Sequence, residues 1–234
     1  MKNIAIIPAR GGSKRILRKN IKDFYGKPIL SYSIEAAKKS ELFEDVIVST
    51  DDEEIAEIAI KYGASVPFLR SSKNADDFAT TASVLEEVLI TLSGLSREYD
   101  NACCIYSTAP LISIEKLKLG YTCLLEQQRH TVFPVLKFNN SIWRGFEYGE
   151  NGVTSMIWPE YENTRSQDMK DVYHDAGQWY WVNCIRFRNE VRFFTKNTSS
   201  ILLEEFEAQD IDNAEDWFLA EKKFEYKNKL KKIT

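Results

Sequence analysis

Five cations, Arg10, Lys14, Arg15, Arg18 and Lys19, fall within ten positions of the stretch "IIPARGGSKRILRKN" (residues 6–20), interleaved with Gly11, Gly12 and Ser13. Glycines let a backbone approach a ligand closely, successive amides can cradle an anion, and Lys and Arg add charge-assisted bonds. The chemistry on offer is phosphate binding, and a nucleoside triphosphate would satisfy it. The segment matches neither GxxxxGK[ST] nor GxGxxG. Basic loops are often plain solvated surface, but this one directly follows a buried apolar run, which favours phosphate. A second group is acidic: Asp210 and Asp212 in "QDIDNAEDW". Residues two apart on an extended segment face the same side, so both carboxylates can meet one cation, and hard oxygen ligands suit magnesium bridging to phosphate. The same Asp-Ile-Asp before a helix is also a capping sequence, and a metal-dependent glycosyltransferase would use such a pair too.

Elements must bring these groups together. The continuous apolar run "NIAIIPA" (3–9) predicts a strand covered on both faces, as does "DVIVST" (45–50). Helical spacing marks 27–40, 52–63 (stopped by Gly63), 81–92 and 113–128, while 65–70 and 101–108 read as strands. Strand–helix alternation predicts an α/β fold with a mostly parallel sheet flanked by helices. In such sheets ligands bind outside the carboxyl ends of the strands, where the basic loop begins. From 131 to 158 apolar and aromatic runs broken by "NN" and "GENG" predict hairpins, and 178–187 reads as an aromatic strand. A last helix is predicted over 213–230, capped by Asp212 or Asn213.

The chain has 234 residues, 44% of them hydrophobic, enough for the core of one domain over 1–234, with roughly 134–172 as an inserted hairpin subregion. A formal net charge of −4 argues against a nucleic-acid partner. No apolar run approaches the roughly 20 residues of a membrane span, and the N-terminus lacks a signal-peptide layout, so a cytoplasmic protein without a removed leader is expected. Cys103, Cys104, Cys123 and Cys184 show no CxxC spacing, and neighbours on a strand face opposite ways, so reduced core thiols are expected.

The segment "IIPARGGSKRILRKN" resembles the N-terminal signature of the CMP-sialic acid synthetase (acylneuraminate cytidylyltransferase) family. "VIVSTDDEEIAEIA", "VPFLR", "IYSTAP", "RSQD", "HDAGQWYW" and "QDIDNAEDW" recur in family order along almost the whole chain, and "YHDAGQWYW" with "VPFLRSSKNADDFATTASVL" resembles the pseudaminic acid branch. The resemblance implies a three-layer nucleotide-diphospho-sugar transferase fold, a homodimer built on the inserted hairpins, and a role in flagellin glycosylation. The implied reaction joins CTP and a nine-carbon sugar acid into a CMP-sugar and pyrophosphate, with Mg²⁺. Pseudaminic acid is the expected substrate, with N-acetylneuraminic or legionaminic acid as the alternatives.

Carried over residue by residue, the resemblance gives Arg10, Ser13, Lys14, Lys19 and Asn20 to the triphosphate, Arg70 to the nucleotide, and Ala79 and Thr81 to the cytosine. Thr81 also fits an ordinary helix N-cap and could serve both roles. Leu17 stands where the family often has proline, removing stiffness rather than chemistry. The expected catalytic groups are Lys14, Arg10 and Asp210, with Asp210 and Asp212 as magnesium ligands. On the sugar side, Arg165 could clamp a carboxylate, with Gln167 beside it, or form a structural ion pair. Thr108 at a strand's carboxyl end suits sugar hydroxyls. Asp175, helped by Gln178, is expected to accept the extra N–H of pseudaminic acid, or else only to fix the turn at Gly177. No residue stands out as a general base.

Overall fold

The computed structural model describes residues 1–75 and 79–230. Its strands are β1 (Asn3–Pro8), β2 (Asp23–Phe24), β3 (Lys27–Pro28), β4 (Asp45–Ser49), β5 (Asn101–Ile105), β6 (Thr131–Lys137), β7 (Phe146–Tyr148), β8 (Thr154–Met156), β9 (Tyr173–Asp175), β10 (Trp179–Asn183) and β11 (Thr198–Leu202). The helices are α1 (Ile29–Ser40), α2 (Glu53–Lys61), α3 (Ser72–Ala75), α4 (Thr81–Gly94), α5 (Ile114–Glu126), α6 (Cys184–Glu190) and α7 (Ala214–Leu230).

The main sheet runs β11-β6-β10-β5-β1-β4, with β9 pairing to β6. β1 lies parallel between β4 and β5, whereas β10 runs antiparallel between β5 and β6. The apolar run of β1 explains its central place: Ile4 and Ile6 enter one core with Leu85, Val88 and Leu89 of α4. Ala5 and Ile7 enter the other with Leu30 and Ile34 of α1, Leu117 of α5, and Trp179 and Trp181. Each such fully buried large side chain contributes about 1.5–3 kcal/mol. Cys103 and Cys104 fall into opposite cores, and all four thiols are unbridged and buried. Gly120 is required by packing, because a Cβ there would sit 2.5 Å from the Trp179 ring.

Three expectations change. Residues 65–70 make one bridge, Ser65 to Ile47, rather than a strand. The stretch 178–187 divides: Asn183 caps α6 by accepting from the Arg186 amide, so "CIRF" is helical. β6 belongs to the main sheet, so the segment outside it is 138–172, an arm of short turns around the β7–β8 hairpin. Met169 is its single buried residue. α7 is capped by Asn213, whose Oδ1 accepts from the amides of Glu215 and Asp216. No helix among the described residues is long and apolar enough to cross a membrane.

Candidate active site

A cleft of about 290 Å³ opens at the carboxyl ends of β1 and β5, near the lower limit for small-molecule sites. The basic loop forms one wall. Asn20, buried, pins it by donating to the Arg10 carbonyl at 2.7 Å and accepting from Ser107 Oγ at 2.8 Å. Gly11 is explained by neighbouring carboxylates of the chain itself: its amide donates to Asp51 Oδ1 at 2.9 Å, and a Cβ would lie 2.7 Å from Asp52 Oδ2. Gly12 meets no such obstacle. Arg18 leaves the cation group. In a left-handed conformation (φ 52°) it turns to Asp52 and Glu54 at the start of α2, and Asp52 holds its guanidinium pKa up.

The other cations face the cleft. Arg10, Ser13, Lys14, Lys19 and Asn20 line it, joined by Arg15. Lys19 donates to the Ile211 carbonyl at 2.6 Å and lies 3.9 Å from Asp212 Oδ1; burial lowers its pKa against the pull of Asp212 and Asp210. Arg70 enters from the opposite side, 8% exposed, its Nε donating to Ser49 Oγ at 3.1 Å. Burial lowers its pKa, opposed by Asp51 and Glu87. Ala79, Thr81 and Thr108 complete the predicted lining. The N-cap of α4 is Thr80, which accepts from the Ser83 amide at 3.1 Å, so the Thr81 hydroxyl is not the cap; it stands 3.4 Å from Tyr106 Oη.

Asp212 also lines the cleft, receiving Arg15 at 2.8 Å. Asp210, exposed, is not part of the cleft lining but packs on the Asp175–Gly177 turn: a Cβ on Gly177 would lie 3.2 Å from its Cγ. Its pKa is raised by crowding that removes solvent, then by the charge of Asp212, with Lys19 opposing. Among the described residues no group of three or more His, Cys, Asp or Glu gathers as a metal cage. Two neighbouring carboxylates still fit magnesium, which takes one or two carboxylates and completes its shell from phosphate and water.

The sugar-side residues are dispersed. Asp175 Oδ1 accepts from the Gly177 amide at 2.9 Å, the turn contact, while Oδ2 accepts from Tyr180 Oη at 2.6 Å. Asp175 does not line the cleft; it borders a neighbouring hollow with Tyr180, and Thr81 and Tyr106 border both. Gln178 is buried, donating to the Glu207 carbonyl at 2.6 Å, with its Oε1 unpaired. Arg165 and Gln167 lie exposed on the arm and do not reach the cleft of their own chain. Sequence reasoning missed Tyr106, Asn74 and Ser107 in the lining. Tyr106 ends a strand-like run with no charge to mark it.

Residues 4–225 match the cytidylyltransferase family. The chain belongs to that family. A pseudaminic acid cytidylyltransferase of Campylobacter jejuni is 42% identical over 92% of this chain and 93% of its own length. A CMP-N,N'-diacetyllegionaminic acid synthase of Legionella pneumophila is 29% identical over 96% of this chain and 97% of its own. The fold matches a solved CMP:2-keto-3-deoxy-manno-octonic acid synthetase in complex with CTP, with a TM-score of 0.69 at 13% identity, covering 97% of this chain and all of that one. The fold of this chain is therefore the three-layer nucleotide-diphospho-sugar transferase type, its sheet made mixed by antiparallel β9 and β10.

Proposed function

We propose that the protein is a pseudaminic acid cytidylyltransferase. The anomeric hydroxyl oxygen of the sugar acid attacks the α-phosphorus of CTP and gives its proton to solvent water; the bond from the α-phosphorus to the bridging oxygen breaks, and pyrophosphate departs. The observation that carries this reading is the convergence of Arg10, Lys14, Lys19 and Arg70 on one cleft at the strand ends. Phosphoryl transfer relies on positioning and charge stabilisation, and these cations supply both. Arg10, Lys14 and Lys19, with Ser13, hold the triphosphate; Asn20 keeps their loop on the end of β5. Arg70 faces the nucleotide, and Ala79 and Thr81 read the cytosine. Magnesium held by Asp210 and Asp212 would add Lewis-acid neutralisation of the phosphates.

Identity to the C. jejuni enzyme supports pseudaminic acid as acceptor. Thr108, Asp175 and Gln178 are assigned to the sugar. Arg165 and Gln167 serve it from the arm of a second copy in a homodimer; the exposure of Phe146 (59%), Tyr148 (81%) and Val153 (68%) supports burial of that arm against a partner. Four unbridged thiols suit the reducing cytoplasm.

The decisive assay is pyrophosphate release with CTP or UTP against pseudaminic, legionaminic and N-acetylneuraminic acids. Pseudaminic acid with CTP is expected to give the highest kcat/KM. Higher turnover of another sugar acid rejects the substrate assignment, and no release with any acceptor rejects the reaction.

A further inference from the structure

We propose that Arg15 serves as the counter-ion of Asp212 while the acidic pair holds no divalent cation and passes to the triphosphate once a cation is bound. The inference rests on the reading of Asp210 and Asp212 as metal ligands. Arg15 comes from the phosphate-facing loop, yet its Nη2 lies 2.8 Å from Asp212 Oδ1, 197 positions away in the chain. Both residues line the same cleft.

Two cations approach Asp212, and they are held differently. The Lys19 side chain is 22% exposed and is anchored on the Ile211 carbonyl, 3.9 Å from the carboxylate. The Arg15 side chain is 68% exposed. Exposed single ion pairs add little net stability, so Arg15 is the partner that can leave. Its presence has an electrostatic use: an uncompensated acidic pair beside the triphosphate site would repel the incoming polyanion. A guanidinium suits both stations, because its planar fork matches carboxylate and phosphate alike.

The test measures Mn²⁺ binding to the full chain without nucleotide, by electron paramagnetic resonance. Arg15→Ala is expected to bind Mn²⁺ about two- to fivefold more tightly than wild type, the range an exposed ion pair can release. Lys22→Ala removes the same charge from the next turn, where Lys22 stands over the Trp217 ring at 4.4 Å, and is expected to leave the affinity unchanged. At saturating Mn²⁺, Arg15→Ala is then expected to bind CTP several-fold more weakly. Unchanged Mn²⁺ affinity in Arg15→Ala, or equal tightening in Lys22→Ala, overturns the counter-ion role. Unchanged CTP affinity overturns the transfer to phosphate. An Asp212→Asn variant with wild-type Mn²⁺ affinity rejects the metal reading itself, whereas its loss of Mn²⁺ binding beside an unaffected Arg15→Ala rejects Arg15 alone.

Discussion

The cleft and the arm are built in opposite ways. The cleft lies at the ends of β1 and β5, whose side chains are buried on both faces, and two residues of its lining, Asn20 and Arg70, are themselves buried. The arm, residues 138–172, buries only Met169 and is ordered by short turns and a hairpin of two three-residue strands. Trp143 contacts Trp158 and Tyr161 within the arm, and Phe138 at its root packs on His174 of β9. A cleft on such a sheet is preorganised before its ligand arrives. An arm with so little interior has its apolar surface left to cover. Chemistry that must be held to fractions of an ångström belongs to the first region, and contacts completed by assembly to the second.

The largest effect separates charge from fold within the cleft. Lys14 is exposed and lines the cleft. Lys14→Ala is expected to lower kcat by about 10²-fold or more, as removal of one transition-state donor does. Its folding stability should stay within about 0.5 kcal/mol of wild type. Steady-state kinetics beside thermal melts decide it. A folded variant with wild-type turnover would remove the loop from catalysis and erase the contrast with the arm.

The contrast also explains what could be read from sequence. The basic loop was legible because its cations are contiguous, and β1 because its apolar run is unbroken. The direction and position of β10 were not, because an aromatic strand reads the same whether parallel or antiparallel, and sheet order is set by tertiary packing. The break at Asn183 was hidden by apolar residues on both sides of the cap. Arg18 was grouped with the phosphate cations because one residue in a left-handed turn, which no composition marks, aims it elsewhere. Asp175 carried a visible turn signal, and the turn contact is present. Arg165 lies exposed on the arm and outside the cleft lining, a placement that no spacing in the sequence marks.

The next effects probe the arm. Phe146→Glu with Tyr148→Glu is expected to convert a dimer to monomers in sedimentation equilibrium, because two charges would enter the apolar surface to be covered. Arg165→Ala is expected to raise KM for the sugar acid about tenfold, the loss of one charge-assisted bond, without changing KM for CTP. A monomeric wild type with unaltered kinetics in Arg165→Ala would make the arm irrelevant to the site.

A smaller effect is expected at the border between the two regions. Asp175→Asn keeps an oxygen for the Gly177 amide but loses the acceptor-only carboxylate. The kcat/KM for pseudaminic acid should fall about fivefold more than that for N-acetylneuraminic acid, roughly one hydrogen bond's worth. Equal losses for both sugars would leave Asp175 with the turn alone.

The smallest effect concerns the cation that the loop does not lend to the cleft. Arg18 pairs with Asp52 and Glu54, and the Arg18–Asp52 pair is largely shielded, with side chains 32% and 21% exposed. Arg18→Ala should therefore leave kcat and KM unchanged and lower stability by about 1 kcal/mol. Asp52 also caps α2 by accepting from the Ile55 amide at 3.0 Å, a bond the substitution retains. The sign with pH follows from Asp52, whose pKa is lowered chiefly by its hydrogen bond to Arg18. A carboxyl with a depressed folded-state pKa stabilises fully above its unfolded value, about 3.9, and loses that contribution as pH falls through the folded value. The difference in Tm between wild type and Arg18→Ala should thus be constant near neutrality and shrink below about pH 4. Melts from pH 7 down to pH 3 measure it. A difference that persists at low pH would assign Arg18 to packing, and a fall in kcat would return it to the phosphate group from which its backbone conformation separates it.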